Sequence, residues 1–403
     1  MPKRIAIVSS SCPPAGSGGV SHAQYNLYRA LKRRGFDVRM YTFADYDVAL
    51  EERDIVRRGA HPFLSKALER VIGLYFRIVD PSKIAYHFAE VVAFAWPCSK
   101  LNRQIRRFRP DVLIFSDHGC PALCIRKPDH CRTILVSHHN PARFLGNPLW
   151  GLHSERDVRW TIALENLALR KIDAVVCPSH YMHDTFMKTY AYDGTVTVIP
   201  NMIDMEMIAS VSANDVREAL GLPKDALLVY IPSAGSAYKG SQFVCEIIRR
   251  LSSYRPEAIG FYLSGPIGSS LEYELRSRPQ NARLYAPGQV SYKENLGIVK
   301  TCSFGISPTL IENFGMAILE AQACGVPMIS FDVGGNHDVV NSGRTGVLVP
   351  YLDVEELIKA AVRLMEAKRR TAMRIEAAND AASRFASEVV VEQFVAMLDK
   401  AEA

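Results

Sequence analysis

Apolar residues in this chain fall into two alternating patterns. Short runs rich in Val, Ile, Leu and Phe (RIAIVSS, DVRMYTF, DVLIFSD, TILVSHH, AVVCPS and VTVIPN, then LLVYIPS, GFYLSG, ARLYAP, FGISP and PMISFD) are separated by longer amphipathic segments. The runs are apolar at nearly every position, not at every second one. That pattern belongs to strands covered on both faces, as in parallel sheets with helical crossovers. The two series predict an α/β chain with two Rossmann-like domains. The break falls at Asn201–Asp204, where a short irregular stretch precedes a fresh helix and strand. The division expected is 1–204, 205–380, and a closing helix over 381–403 lying against one of the two domains.

Residues 44 to 110 fit the alternation poorly. FLSKALERVIGLYFRIVDPSKIAYHFAEVVAFAW is aromatic and helical, and the LNRQIRRFRP that follows is strongly basic. Two readings stand: an inserted helical layer covering the first sheet, or a helix lying on a membrane surface.

The composition agrees with two domains. At 403 residues the chain exceeds one ordinary core, and 48% hydrophobic with 22% charged residues describes a globular protein. No run is apolar enough to span a bilayer. The opening MPKRIAIVSSS enters a strand pattern directly, without a signal peptide's apolar region and cleavage site, so a cytoplasmic protein is expected, or one at the inner face of the membrane. Nine scattered cysteines agree with reduced thiols. The net charge of +6 hides an asymmetry: residues 1–200 carry 28 basic and 18 acidic side chains (+10), the remainder 20 and 24 (−4). No nucleic-acid-binding pattern accompanies the basic half, so an anionic acceptor or membrane surface is the expected partner.

Several stretches carry chemistry. After the first strand, Gly16, Gly18 and Gly19 open a helix, and a glycine-rich turn there presents free N–H groups to an anion, although a plain tight turn reads the same way. The spacing is not the dinucleotide fingerprint, and no acidic residue ends the second strand. At the start of the second domain Lys239 and Gly240 lie between a strand and a helix, placed to put a cation on a diphosphate. In SPTLIENFGMAILEAQA a strand ends, a loop holds Glu312, and a helix carries Glu320. Eight residues of helix span roughly 12 Å, too far for two carboxylates to share one reacting carbon. Between them the amides at Gly315 and Met316 favour phosphate. The order matches a sugar, a diphosphate and a ribose laid along the helix. Asp45–Asp47 (DYD) imitates a metal-binding triplet but reads as solvated acid, and His118, Cys120, Cys124, His130 and Cys131 have no regular zinc spacing.

Taken together, these stretches resemble the retaining GT-B glycosyltransferases of family 4. Glu312 and Glu320 match that family's E-x7-E motif; ACGVPMIS, GGNHDVV and SGRTGVLVP are similar to the segments after it; and GGVSHAQYNLYRALKRRGFDV, PSHYM and VIPNMID also fit. The resemblance implies two Rossmann-like domains facing a central cleft, with the donor held mainly by the second and the closing helix over 381–403 returning to the first. It implies that Glu320 bonds the ribose and Glu312 the transferred sugar, with Lys239 on the diphosphate. Gly18, Gly19, Gly240, Asn313, Phe314, Gly315 and Met316 would line the donor. The family's first-domain histidine falls on His138 or His139, the HN pair favouring His139. Ala234 stands where the family often has an arginine, no arginine occurs from Asp225 to Ile248, and Met202 and Asn313 replace common glycines.

The function so implied is transfer of a sugar from a nucleotide diphosphate sugar to an acceptor hydroxyl with retention, in cell-surface glycan or glycoconjugate synthesis. It requires no metal and no cofactor beyond the donor as co-substrate. The acceptor would be a glycan, a lipid-linked molecule or a small molecule. Alternatives on the same fold are glycosylation of a small natural product, a sugar-nucleotide epimerase, and a degenerate nucleotide-sugar-binding relative.

Overall fold

A computed structural model of the chain describes residues 3–14, 18–44, 53–59 and 62–399. The chain divides into two compact units, one formed by Met1–Met202 with Val390–Ala403 and the other by Ile203–Val389. Gly16 and Asp45–Asp47 lie outside the described residues.

The first unit holds seven strands: β1 (Arg4–Ser9), β2 (Asp37–Thr42), β3 (Ile55–Arg57), β4 (Val112–Ser116), β5 (Arg132–Val136), β6 (Ala174–Cys177) and β7 (Thr195–Val198). All pair in parallel, in the order β3-β2-β1-β4-β5-β6-β7. Its larger helices are α1 (Gly19–Arg33), α2 (Pro62–Val79), α3 (His87–Phe108) and α4 (Glu155–Leu169). The second unit holds β8 (Leu228–Ile231), β9 (Ile259–Leu263), β10 (Ala282–Tyr285), β11 (Phe304–Ser307), β12 (Met328–Phe331) and β13 (Gly346–Val349), again all parallel, in the order β10-β9-β8-β11-β12-β13. Helices α5 (Ser241–Ser253), α6 (Tyr292–Val299) and α7 (Met316–Ala323) belong to it, and α8 (Ser387–Asp399) ends the described chain.

The uniform apolarity of the strands follows from cover on both faces. In β1, Ile5 and Ile7 pack with Leu27 and Leu31 of α1, while Ala6 and Val8 pack with Leu101 and Ile105 of α3. Val390, Val391, Phe394, Met397 and Leu398 of α8 join the α1 side. Each such side chain contributes roughly 1.5–3 kcal/mol of burial before ordering entropy is subtracted, so α8 is a structural part of the first unit. The region that fits the alternation poorly forms α2 and α3. Helix α3 takes the role of a layer on the sheet, burying Val91, Cys98, Leu101 and Ile105 in its core.

Two strands differ from the sequence reading. β3 has three residues and β13 four, and both are sheet edges. β3 is too brief to show a pattern, and β13 lies within SGRTGVLVP, which read as a turn.

Candidate active site

In an open parallel sheet, ligands bind beyond the carboxyl ends of the strands where the strand order reverses. In the second unit that point lies between β8 and β11, and Lys239 and Glu312 follow those two strands. Backbone packing sets them side by side. Gly240, at φ +81°, lies so close to the Pro308 carbonyl that a Cβ there would overlap it. The Leu310 N–H donates to the Tyr238 carbonyl at 3.0 Å. Gly334, at φ +56°, similarly admits no Cβ against the Glu312 carbonyl, and the Gly335 N–H donates to that carbonyl at 3.1 Å. These contacts give the GG of GGNHDVV a physical role as the floor under the Glu312 loop.

On that framework Lys239 Nζ lies 2.6 Å from Glu312 Oε2, and the Asn313 N–H donates to Glu312 Oε1 at 3.1 Å. Burial alone would raise the Glu312 pKa. The charge and hydrogen bond of Lys239, with the N–H groups of Asn313 and Gly315, outweigh it and hold the carboxyl below its ordinary range. Glu312 is therefore an anion that only accepts hydrogen bonds. Gly315, at φ +84°, caps α7, and Met316 opens that helix. A Cβ on Gly315 would come within 2.9 Å of Asn336 Oδ1. Phe314 is buried beneath the loop, so its side chain holds the loop in place.

Glu320 lies farther along α7. Its Oε1 accepts a hydrogen bond from the Tyr292 hydroxyl of α6 at 2.9 Å. Burial raises its pKa to about 7, partly offset by that bond. Tyr292 lies 28 residues from Glu320 in sequence and had no local signal. Ala234 is fully buried in the core with Ile231 and Val244, so the place of the expected arginine is packed apolar space.

The reversal in the first unit lies between β1 and β4. Gly18 caps α1 after β1, Gly19 is its first residue, and a Cβ on Gly18 would meet nothing within 4 Å. The loop is thus open at that point, unlike the tight glycines of the second unit. His138 and His139 follow β5 and turn to opposite sides. His138 Nε2 lies 2.8 Å from Asn201 Oδ1, beside Gln24 of α1. His139 lines a cavity of about 20 Å³, room for a single water, with Asp117, Ser137, Glu165 and Tyr190. Asp117 Oδ2 accepts the His139 N–H at 2.5 Å and the Ser137 hydroxyl at 3.2 Å, while its buried Oδ1 has no partner among the described residues.

The Tyr190 hydroxyl donates to Glu165 Oε2 at 2.7 Å. Burial pushes Asp117 up to about 6 and Glu165 up to about 8, and it holds His139 well below its ordinary value, with the nearby His118, His87 and Arg143 charges adding to the effect. Asp117, Glu165 and Tyr190 were absent from the sequence reading; the position of Asp117 at the end of β4 was the available signal. His118 pairs with Glu90 at 3.1 Å, and all nine cysteines are free thiols. Among the described residues no group of three or more His, Cys, Asp or Glu is arranged to hold a metal ion.

Residues 17–207 match the family model Glycosyltransferase Family 4, and residues 226–367 match Glycosyl transferases group 1. A D-inositol 3-phosphate glycosyltransferase of Stackebrandtia nassauensis is 27% identical over 232 residues, 55% of this chain and 52% of that protein. The chain thus spans about half the length of the curated relatives it matches. Among solved structures, sucrose-phosphate synthase from Thermosynechococcus elongatus superposes with a TM-score of 0.75 at 18% identity, over 99% of this chain and 98% of that one. Anabaena HepE, in complex with UDP and glucose, superposes with a TM-score of 0.70 at 16% identity, over 99% and 100%. Two parallel sheets, each with a reversal in strand order, and two consecutive family models agree: this chain belongs to the glycosyltransferases of family 4 and group 1, on the GT-B fold.

Proposed function

We propose that the chain transfers a sugar from a nucleoside diphosphate donor to an acceptor hydroxyl with retention of configuration. The observation that carries this reading is the Lys239–Glu312 pair, 2.6 Å apart beside the N-terminus of α7. In the proposed reaction, the bond from the anomeric carbon to the diphosphate breaks as the bond to the acceptor oxygen forms on the same face. The acceptor proton passes to the departing phosphate. Lys239 and the amides at Gly315 and Met316 stabilise the charge that develops on the diphosphate. Glu312 accepts from the sugar hydroxyls and Glu320 from the ribose. Positive charge comes from the protein's own groups, so the mechanism calls for neither a metal nor a resident cofactor.

UDP-sugars are the first donors to test, because HepE is described with UDP and glucose. A phosphorylated or otherwise anionic acceptor, such as a glycoconjugate precursor, agrees with the +10 balance of residues 1–200 and with relatives named for inositol phosphate and sucrose phosphate.

The test is nucleotide release from a panel of UDP-, GDP- and ADP-sugars, first without acceptor and then with phosphorylated and neutral polyols. Slow release alone, acceleration by one acceptor class, an unchanged anomeric configuration by NMR and insensitivity to EDTA are expected. Binding without any release would leave a nucleotide-sugar-binding protein. Activity lost to EDTA and restored by Mg²⁺ would overturn the metal-free mechanism.

A further inference from the structure

Helix α2 is apolar on two sides. Toward its own unit, where it packs on α3, it buries Phe76 and half-buries Ile72 and Val79. Toward solvent it presents Val71, Leu74, Tyr75 and Ile78, which are 68%, 59%, 39% and 73% exposed. Their spacing of i, i+3, i+4 and i+7 makes one continuous stripe, at the place where a helix on a water-facing surface carries polar residues. Tyr75 stacks on Trp160 of α4 with ring centroids 5.6 Å apart, which carries the stripe onto a second helix. Single exposed apolar residues are ordinary; a connected set marks a surface that meets something.

Charge indicates what it meets. Lys66, Arg70 and Arg77, all exposed, form a row along one edge of the stripe, and the exposed Arg156 and Arg159 precede Trp160 on α4. The exposed acids on these two stretches are Glu69 and Glu155. A cation row flanking an apolar stripe on one helix is the pattern of helices that lie in the boundary between lipid headgroups and acyl chains.

We propose that this face docks the protein on an anionic bilayer, with the stripe entering the headgroup boundary and the flanking cations meeting lipid phosphates. No helix among the described residues is long and apolar enough to cross a membrane, so α2 would lie along the surface. A second copy of the chain fits less well. At 1.5 Å per residue the eight residues from Val71 to Ile78 span roughly 12 Å, and a stripe about 10 Å wide offers roughly 120 Å², far below the roughly 800 Å² that a stable protein partner buries on each side. Symmetric pairing would also bring the same cations face to face.

The experiment is flotation of the full chain with vesicles of phosphatidylcholine alone and of equal parts phosphatidylglycerol and phosphatidylcholine. Binding at least ~10-fold tighter to the anionic vesicles is expected. It should weaken as salt shortens the Debye length from about 10 Å at 0.1 M to about 3 Å at 1 M. The double variant Leu74→Ser/Ile78→Ser should bind on the order of tenfold less to both vesicle types. Arg70→Gln/Arg77→Gln should lose most of the anionic preference. Both pairs are solvent-exposed, so the unfolding temperature serves as the control for fold. Absent flotation of the wild type, or equal binding to both vesicle types, overturns the proposal. So does a mass in sedimentation velocity that falls to the monomer in Leu74→Ser/Ile78→Ser while flotation is unchanged, which assigns the stripe to a second copy.

Discussion

The two sheets share a topology but not a chemistry at their reversal points. In the second unit the loops after β8 and β11 set an ammonium and a carboxylate 2.6 Å apart beside a helix N-terminus. In the first unit the loops after β4 and β5 gather Asp117, His139 and, from α4, Glu165, all pushed by burial toward their neutral forms. One end is charged before a ligand arrives; the other resists charge. The difference shows how one fold can divide labour. On the proposed reading a diphosphate calls for a preorganised counter-charge, whereas the hydroxyls of the transferred sugar are neutral and call for hydrogen-bonding groups and little field.

Removing the charge from the charged end should have the largest effect. Lys239→Ala is expected to lower turnover on the order of 10²-fold or more, the scale of one preorganised electrostatic donor. Activity within a few-fold of wild type would mean that the helix end suffices alone and that the contrast is overdrawn. Next in size is Glu320→Gln. Losing a charged acceptor should weaken nucleotide-sugar binding by roughly 1.5–3 kcal/mol, or about 10- to 150-fold. Because Glu320 titrates near 7, wild-type affinity for a nucleotide sugar should rise as pH climbs through about 7 while the variant stays flat. Calorimetry across that range decides, and parallel curves would remove Glu320 from the ribose.

A prediction about stability, not catalysis, tests the neutral end. Glu165 goes from an ordinary 4.5 to about 8 on folding, so in that window the folded chain holds a proton that the unfolded chain has lost. Stability is full below about pH 4.5 and declines as pH rises toward 8, at no more than about 1.4 kcal/mol per pH unit. Denaturant titrations should show Glu165→Gln losing less stability than wild type between pH 5 and 8. A wild type that instead gains on the variant over that range would mean that Glu165 is charged in the folded state.

What the linear sequence discloses depends on the range of the interaction. The strands were legible because cover on both faces demands apolar residues throughout, whereas β3 has only three residues and β13 is embedded in the glycine-rich SGRTGVLVP. Lys239 and Glu312 can each be noticed alone, one before a helix and one in a loop. Their contact joins positions 73 apart and depends on close backbone approaches at Gly240 and Gly334 that no periodicity reports. Tyr292 with Glu320 and Tyr190 with Glu165 are similar cases, separated by 28 and 25 residues. The opposite directions of His138 and His139 are set by two adjacent residues just past the end of β5.

Because α8 seats Val390, Val391, Phe394, Met397 and Leu398 against β1, α1 and their neighbours, the first unit is assembled from both ends of the chain. On the ribosome this reverses the usual order. The 187 residues from Ile203 to Val389 must be made between the bulk of the first unit and the helix that completes it, which at ~5–20 residues per second takes about 10 to 40 s. Throughout that interval the α1 side of the first sheet has an uncovered apolar seat, and at its end the second unit has every residue it needs. The half that is translated first is therefore the half that finishes last, and during that wait the nascent chain is most open to chaperones and to aggregation.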